Sequence, residues 1–330
     1  MSNILITGGA GYIGSHVCKM LAKEGYTPIT YDNLSNGNRE AVQWGPFEEG
    51  DILDQDKLLR VLNKYRPSAV MHFAAFAYVG ESIINPKKYY RNNVIGTLNV
   101  AECMLKQSIN NLIFSSSCAT FGVPSTMPIN ETNIQSPINP YGRSKVASEY
   151  IIKDFCSAHG LRSVILRYFN AAGADKDLEI GESHSPETHL IPLLFDACVG
   201  VTNKFDLYGD DYDTFDGTCI RDYIHVTDLA NAHILAYKKL KQDSKTASYN
   251  LGNGKGFSVK QVIDMVEKVT GLVVPFIIDS RRVGDPPILI ADSSKARVEL
   301  SWNPVDSSLE NIVESAWLWY KKMKERDIKL

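Results

Sequence analysis

The sequence has little that would favour a disulfide framework, a zinc site or a membrane span. It has no C-x-x-C pair, and its six cysteines lie far apart, at Cys18, Cys103, Cys118, Cys156, Cys198 and Cys219. That spacing is typical of reduced thiols in a cytoplasmic protein. No apolar stretch approaches the roughly 20 residues that cross a bilayer, and the first apolar run is too short for a secretory signal. We therefore expect a cytoplasmic protein with no membrane partner.

The chain also lacks repeats, low-complexity tracts and a charge imbalance. Its formal net charge is −3 over 330 residues, so electrostatics give no reason to expect a nucleic-acid partner. Hydrophobic residues make up 44% and charged residues 22%, which is ordinary for a globular protein with one or two domains.

Short apolar runs alternate with helical patterns in the first half of the chain, which predicts an α/β fold with a doubly wound parallel sheet. The predicted strands are Ile4–Thr7, Pro28–Tyr31, Ala69–Phe73, Leu112–Ser115 and Ser163–Tyr168. The predicted helices are Ile13–Lys23, Asp56–Tyr65, Tyr89–Lys106 and Tyr141–Ala158. Beyond residue 172 the chain becomes more polar and loop-like, which predicts a second, smaller mixed α/β domain.

We place the boundary between residues 1–172 and residues 173–330, with part of 218–252 returning to the first domain. The returning elements are predicted as a strand at Asp222–Val226 and a helix at Asp228–Leu240. The chain would then cross between the domains more than once.

A glycine-rich turn follows the first strand, with Gly8, Gly11 and Gly14 spaced as G-x-x-G-x-x-G. Such a turn lets a pyrophosphate approach the backbone at a helix N-terminus. In isolation the motif fits an ordinary turn about equally well. Asp32 follows the second strand at about the offset expected for a carboxylate that binds the adenosine ribose and repels a 2′-phosphate. The pair predicts a Rossmann-type domain that binds NAD rather than NADP.

Tyr141 and Lys145 lie one helical turn apart and therefore share a helix face. An unperturbed tyrosine is a poor base at neutral pH, and a nearby ammonium together with a cationic nicotinamide would lower its pKa. Alone, such a pair is usually an ordinary surface pair. Downstream of a dinucleotide motif it predicts a catalytic tyrosine and lysine.

Three serines end the strand before this helix. Ser117 is predicted to bond the reacting hydroxyl and relay its proton to Tyr141, because ligands bind at the carboxyl ends of parallel strands. Ser115 and Ser116 are predicted to satisfy local backbone groups.

Motifs along the whole chain resemble the UDP-glucose 4-epimerase family of extended short-chain dehydrogenases/reductases. In order they are TGGAGYIGSH, YDNLSNG, HFAA, SSSCATFG, SPINPYGRSK, LRYFNAAGA, GTCIRDYIHV, YNLGNGKGFSV and RRVGDPP. The resemblance implies tightly bound NAD and reversible interconversion of UDP-glucose and UDP-galactose through transient oxidation at sugar carbon four. It places the protein in galactose metabolism and nucleotide-sugar supply.

The resemblance also implies residue roles. Catalytic positions fall on Tyr141, Lys145 and Ser117. Besides the three glycines, the cofactor positions are Tyr12, Ile13, Asp32, Asn33, Leu34, Ser35, Asn36, Gly37, Asp51, Ile52, Phe73, Ala74, Ala75, Asn92, Tyr141, Lys145 and Phe169. Substrate positions are Ser117, Tyr141, Asn170, His189, Asp206, Leu207, Tyr208, Arg221, Arg282, Asp285 and Leu289. Residues 1–172 would bind NAD, and 173–330 mainly the nucleotide sugar.

Arg221 and Arg282 suit a diphosphate on chemical grounds as well, because a guanidinium donates to two oxygens at once. Without the family resemblance, either arginine alone is better explained as part of a surface ion pair. Asp285 could equally bind a ribose hydroxyl or cap a turn.

Three positions depart from the family. Ala77 replaces a lysine that some members carry, and His189 replaces an asparagine that donates to the ligand. Leu289 stands where a tyrosine is associated with rejection of N-acetylated sugars, so tolerance of those sugars stays open.

Two helices, Tyr89–Lys106 and Tyr141–Ala158, correspond to those that form a four-helix interface in the family, which implies a homodimer. No metal is predicted, because His184 and His189 lack a third ligand at a persuasive spacing.

Three alternative functions fit the sequence less well. A nucleotide-sugar dehydratase would carry Asp-Glu where Cys118-Ala119 stands. Asp32 opposes an NADP-dependent reductase, and the intact catalytic set opposes an NAD-sensing scaffold.

Overall fold

The computed structural model describes residues 2–243, 245–282 and 285–327. The strands are β1 (Asn3–Thr7), β2 (Thr27–Asp32), β3 (Phe47–Glu49), β4 (Ala69–His72), β5 (Asn111–Ser117), β6 (Arg162–Tyr168), β7 (Asn170–Ala172), β8 (Phe205–Tyr208), β9 (Ile220–His225), β10 (Ala247–Leu251), β11 (Gly256–Ser258), β12 (Phe276–Asp279) and β13 (Ile288–Leu289).

The helices are α1 (Tyr12–Lys23), α2 (Gln55–Tyr65), α3 (Val79–Ile84), α4 (Pro86–Tyr89), α5 (Gly96–Lys106), α6 (Pro140–His159), α7 (Leu190–Cys198), α8 (Val226–Asp243), α9 (Val259–Thr270), α10 (Ser294–Glu299) and α11 (Leu309–Asp327). None of them, over the described ranges, combines the length and hydropathy of a membrane-crossing helix.

Seven strands form one parallel sheet in the order β10-β6-β5-β4-β1-β2-β3. Helices α1 and α8 bury one face of this sheet, and α2, α5 and α6 bury the other. Because both faces are covered, the strands are apolar runs rather than alternating ones. The predicted doubly wound α/β fold is confirmed.

A second layer holds the smaller sheets. Strand β9 pairs with β7, β11 and β13, while β8 and β12 form a parallel pair. Helices α7, α9 and α11 enclose a separate apolar core over these strands.

The strand predicted at Asp222–Val226 does not return to the large sheet. As β9 (Ile220–His225) it lies at the centre of the second sheet, and β10 (Ala247–Leu251) is the strand that joins the large one, beside β6. The following helix does pack on the large sheet, as α8. The local sequence pattern therefore predicted the strand but not the sheet in which it pairs.

The helix predicted from Tyr89 to Lys106 is interrupted. It is observed as α4, a π-helical turn at Tyr90–Ile95, and α5. In that turn the Asn93 side chain accepts from the backbone N–H of Phe76 at 2.9 Å and donates to the Ser144 hydroxyl at 3.0 Å. The turn therefore joins the segment after β4 to helix α6, which carries the candidate catalytic pair.

Candidate active site

The glycine turn connects β1 to α1 with the backbone closely packed. Gly8 has φ +74°, and a Cβ on it would lie 2.6 Å from the backbone nitrogen of Ala74. A Cβ on Gly14 would lie 2.2 Å from the carbonyl oxygen of Gly8. Gly11 is the N-cap of α1, and no side chain caps the first turn. Uncapped backbone N–H groups at a helix N-terminus are suited to bind a phosphate.

Asp32 ends β2 beside this turn. Its carboxylate accepts from the backbone N–H of Ala10 at 2.9 Å and of Leu34 at 2.8 Å. Burial raises the pKa of Asp32, and these two hydrogen bonds oppose that effect. The carboxylate is thus fixed at the mouth of the turn, where it can accept from ribose hydroxyls.

The other predicted cofactor residues surround the same edge of the sheet. Asn33 donates to the carboxylate of Asp51 at 3.0 Å, while Ile52 is buried under the sheet. The remaining side chains follow the carboxyl ends of β1, β2, β4 and β6 or lie in the π-helical turn; they are Tyr12, Ile13, Leu34, Ser35, Asn36, Gly37, Phe73, Ala74, Ala75, Asn92 and Phe169.

A cleft runs from the glycine turn toward α11, and Gly11, Tyr12 and Asn36 line it. A tight glycine turn, an uncapped helix start, a fixed acidic acceptor and an adjoining cleft fit a dinucleotide. The Gly14 position supports this most directly, since no side chain could be accommodated there.

Helix α6 presents the candidate catalytic pair. Asn139 caps its N-terminus by accepting from Gly142 at 2.8 Å, and Pro140 occupies the first turn. Both Tyr141 and Lys145 are buried, with 8% and 4% exposed. The Lys145 ammonium lies 6.0 Å from the Tyr141 ring centroid and donates to the carbonyl oxygen of Ser115 at 2.8 Å. The predicted juxtaposition of phenol and ammonium is present in the structure.

Burial sets the protonation of both groups. It raises the pKa of Tyr141, the nearby Tyr168 adds to that effect, and a hydrogen bond with Ser117 opposes it. Burial lowers the pKa of the Lys145 ammonium to about 7, against the attraction of Glu149. The protein alone therefore holds Tyr141 as a neutral phenol, and a positive charge close to its oxygen is needed to form a phenolate.

Two serines at the end of β5 have side-chain partners that the sequence did not predict. Ser116 donates to the Glu149 carboxylate at 2.6 Å, and the Ser115 hydroxyl bonds the Tyr168 hydroxyl. Both have side-chain partners on neighbouring elements, so the expectation of purely local backbone contacts was wrong. Ser117 caps the following turn by accepting from Ala119 at 3.1 Å.

Glu149 is a residue that sequence reasoning missed. It is fully buried, and its two oxygens accept from the Arg167 guanidinium at 2.9 and 2.6 Å. Burial would raise the pKa of this carboxyl, but the ion pair and Ser116 lower it. Its position four residues after Lys145, on the same helix face, was the available signal. It holds a negative charge close enough to the Lys145 ammonium to raise the pKa of Lys145.

The first group of predicted substrate residues lies on β9 or contacts it. Arg221 donates to Asp285 at 2.5 Å, and Leu289 lies opposite Arg221 in the β9–β13 pairing. Asn170 donates to the backbone of Asp222 at 3.2 Å. These groups follow the carboxyl-end edge at which Ser117 lies, because β7 continues from β6.

A second group lies on β8. The exposed Arg282 guanidinium stacks 4.1 Å from the ring centroid of Tyr208. Leu207 is 1% exposed and offers only its backbone, whereas Asp206 is half-buried.

Within the described residues, the ion pairs of His189 join it to two acidic residues of its own segment. Its Nδ1 atom lies 2.8 Å from the carboxylate of Glu182 and 2.9 Å from that of Glu187. Sequence reasoning did not connect those two acidic residues with this histidine.

Known proteins resemble this chain along nearly its full length. A sequence model described as the NAD dependent epimerase/dehydratase family matches residues 4–252. The UDP-glucose 4-epimerase of Rhizobium meliloti (strain 1021) is 50% identical over 324 residues, 98% of each chain.

Two solved structures share the fold. The UDP-glucose 4-epimerase of Brucella ovis, in complex with NAD, matches with a TM-score of 0.95 and 52% identity, covering 97% of this chain and 98% of that one. The UDP-Glc/GlcNAc 4-epimerase of Campylobacter jejuni matches with a TM-score of 0.86 and 42% identity, covering 98% and 100%.

Proposed function

The chain belongs to the NAD dependent epimerase/dehydratase family, and from this premise we propose that it interconverts UDP-glucose and UDP-galactose as an NAD-dependent isomerase. The observation that carries the proposal is the buried set of Tyr141, Lys145 and Ser117, located at the sheet edge that also carries the glycine turn. A protein that only sensed NAD would have no use for a buried ammonium whose pKa is lowered to about 7.

The proposed cofactor residues would bind different parts of NAD. The glycine turn and the start of α1 would bind the pyrophosphate, and Asp32 the adenosine ribose. When bound, NAD supplies reversible acceptance of hydride from carbon four of the sugar.

Tyr141 would move the proton. Its phenolate takes the proton of the 4-hydroxyl, with Ser117 bonded to the same oxygen, and later returns that proton to the 4-oxygen. Lys145 would lower the pKa of Tyr141 by its charge. Because hydride and proton are both returned, no net oxidation occurs, and the 4-keto sugar must turn within the pocket between the two transfers.

The UDP portion would stay fixed while the sugar turns. Arg221 and Arg282 are the proposed diphosphate ligands, since a guanidinium donates to two oxygens. Arg221 is preorganised by its ion pair with Asp285, which is the proposed ligand of a ribose hydroxyl. Asn170, Asp206, Leu207 and Tyr208 complete the proposed uridine and sugar contacts, and Leu289 closes the sugar end.

A coupled assay with UDP-galactose and no added NAD tests the proposal. Purified wild-type protein should form UDP-glucose, and Tyr141→Phe should retain NAD yet lose at least about 100-fold in kcat. Tyr26→Phe is a matched control, because Tyr26 lies directly before β2, at the end of that strand remote from Asp32. Absence of wild-type turnover, or full turnover in Tyr141→Phe, would refute the assignment. UDP-N-acetylgalactosamine in a parallel assay decides the sugar range.

The exposed face of the π-helical turn and α6 supports a homodimer. Tyr90, Ile95 and Tyr150 are 40%, 49% and 58% exposed there, and contact with a second copy of the chain would remove this apolar surface from water. Light scattering at micromolar concentration should give twice the chain mass for wild type. Ile95→Asp should give a monomer, whereas Ile134→Asp, on an exposed loop, should not. A monomeric wild type would contradict the proposal.

All six cysteines are free thiols in the structure. This is compatible with a reducing compartment, and we place the protein in the cytoplasm, in galactose metabolism.

A further inference from the structure

Four metal-ligating side chains meet in the segment that leads into α7. Glu182, His184, Glu187 and His189 each present one ligand atom, and the four atoms lie within 4.8 Å of one another. The sequence had indicated no metal because the two histidines lacked a third ligand. The fold supplies a third and a fourth, from residues two positions before each histidine.

The spacing of these atoms approaches that of a tetrahedral coordination sphere. Zinc binds histidine nitrogen and carboxylate oxygen at about 2.0–2.2 Å, so neighbouring ligands in a tetrahedron lie roughly 3.3–3.6 Å apart. From Oε1 of Glu182, Nδ1 of His184 lies 3.3 Å away and Nδ1 of His189 lies 2.8 Å away. Glu187 presents a different oxygen to each histidine, with Oε2 3.8 Å from His184 and Oε1 2.9 Å from His189. One ligand atom from each residue lies within 4.8 Å of the other three, which is within the reach of a single ion.

Hydrogen bonding accounts for only part of this arrangement. Nδ1 of His189 and Oε1 of Glu187 form a hydrogen bond at 2.9 Å. Both imidazole Nδ1 atoms also approach Oε1 of Glu182, whose side chain is only 9% exposed. Within the described part of the chain, neither that oxygen nor Nδ1 of His184 has a hydrogen-bond partner. These two buried, unpartnered atoms lie 3.3 Å apart, an arrangement that a bound ion would satisfy.

A second acidic cluster provides an internal contrast. Asp175, Asp177 and Glu179 also lie within reach of one another. The ammonium of Lys19 lies among them, 2.5 Å from Asp175 and 2.9 Å from Asp177. A protein cation already occupies that cluster, whereas no lysine or arginine is paired with the His184 cluster in the described residues.

We propose that Glu182, His184, Glu187 and His189 form a structural site for a zinc-like divalent transition-metal ion. Four protein ligands close a tetrahedral sphere and leave no position for water or substrate, so the ion would not take part in the chemistry. The two imidazole rings pack against Tyr78, and the ring of His184 also meets the edge of Tyr12. The ion would thus hold the segment before α7 against the cofactor-side wall, independently of the proposed function.

Metal titration of the full-length protein tests the site. Wild type is stripped with a chelator, dialysed and titrated with Co²⁺, whose visible absorption reports coordination, and then with Zn²⁺. The variants are His184→Ala and Glu182→Gln. His159→Ala is the matched control, because His159 is an exposed histidine at the end of α6, outside the cluster.

Wild type and His159→Ala should bind one Co²⁺ per chain with the intense bands of a four-coordinate ion, displaced by Zn²⁺. Both cluster variants should lose more than the roughly 100-fold in affinity that loss of an outer-sphere partner can cost. Three outcomes would overturn the proposal: no stoichiometric binding by wild type, a sulfur-to-cobalt charge-transfer band, or variants that bind like wild type.

Thermal unfolding keeps the test valid if a variant is destabilised. An ion that binds only the folded state raises the Tm of wild type. In the two cluster variants added Zn²⁺ should leave Tm unchanged, and an equal rise in all proteins would place the ion elsewhere.

Discussion

Replacing Glu149 with glutamine should damage both stability and the pH profile. Glu149 is fully buried and Arg167 is 3% exposed, so the substitution leaves a buried guanidinium without its counter-charge. Loss of one partner of a buried ion pair costs roughly 3–5 kcal/mol. At about 2–4 °C per kcal/mol for a large domain, the fall in Tm is at least roughly 6 °C.

The same substitution should also change the pKa of Lys145. Glu149 raises the pKa of Lys145 against the effect of burial, so its removal should lower that pKa below about 7. If the charged lysine is needed, the alkaline limb of kcat/KM moves to lower pH. Chemical denaturation measures the stability, and a coupled assay across pH measures the profile.

A matched control separates charge burial from the chemical change itself. Glu310→Gln removes a carboxylate that pairs with Lys268 at 2.8 Å on the surface, and it should leave stability and pH profile unchanged. Equal losses in the two variants would refute the reasoning. So would a destabilised Glu149→Gln whose alkaline limb stays in place.

Lys145→Met should abolish turnover yet stabilise the fold, because burial lowers the pKa of this ammonium from 10.5 to about 7. At about 1.4 kcal/mol per pKa unit, the gain in the free energy of unfolding approaches roughly 5 kcal/mol below pH 7. The gain declines toward zero as the pH rises to the pKa of an unfolded lysine. Urea unfolding at several pH values measures it, and equal gains in acid and alkali would contradict the prediction. Arg282→Ala should raise the Kd for UDP-sugars in calorimetry and leave NAD content unchanged, because the exposed Arg282 guanidinium stacks on Tyr208 in the proposed substrate site. An unaltered Kd would remove Arg282 from the site. Leu289→Tyr should reduce kcat/KM more for N-acetylated than for plain UDP-sugars, and equal reductions would mean that Leu289 does not line the sugar end.

Local signals accounted for most of the elements and for the catalytic pair. Helix α6 was predicted to within a residue at each end, because Pro140 lies at its start and Gly160 directly after its end. Ser258 is the N-cap of α9, and its capping box with Gln261 follows the S-x-x-Q spacing in the sequence. Such features depend on residues close in sequence, where spacing alone determines geometry.

Features that depend on distant partners could not be predicted in the same way. The strand at Ile220–His225 has an apolar pattern that suits either sheet, and pairing is decided by contacts far along the chain. The π-helical turn adds one residue to a helical repeat, which leaves the apolar periodicity on either side intact. The roles of Glu149 and Glu182 emerged only once Arg167 and the two histidines were placed in space.

The late return of β10 to the large sheet has a consequence for engineering and evolution. A fragment ending at residue 172 would expose the edge of β6 and lose α8 from the sheet face. Recombination at a single crossover near residue 172 would therefore separate β10 and α8 from the sheet on which they pack. Exchange of the second layer between related proteins would need at least two crossovers, so that each segment returns with its own sheet.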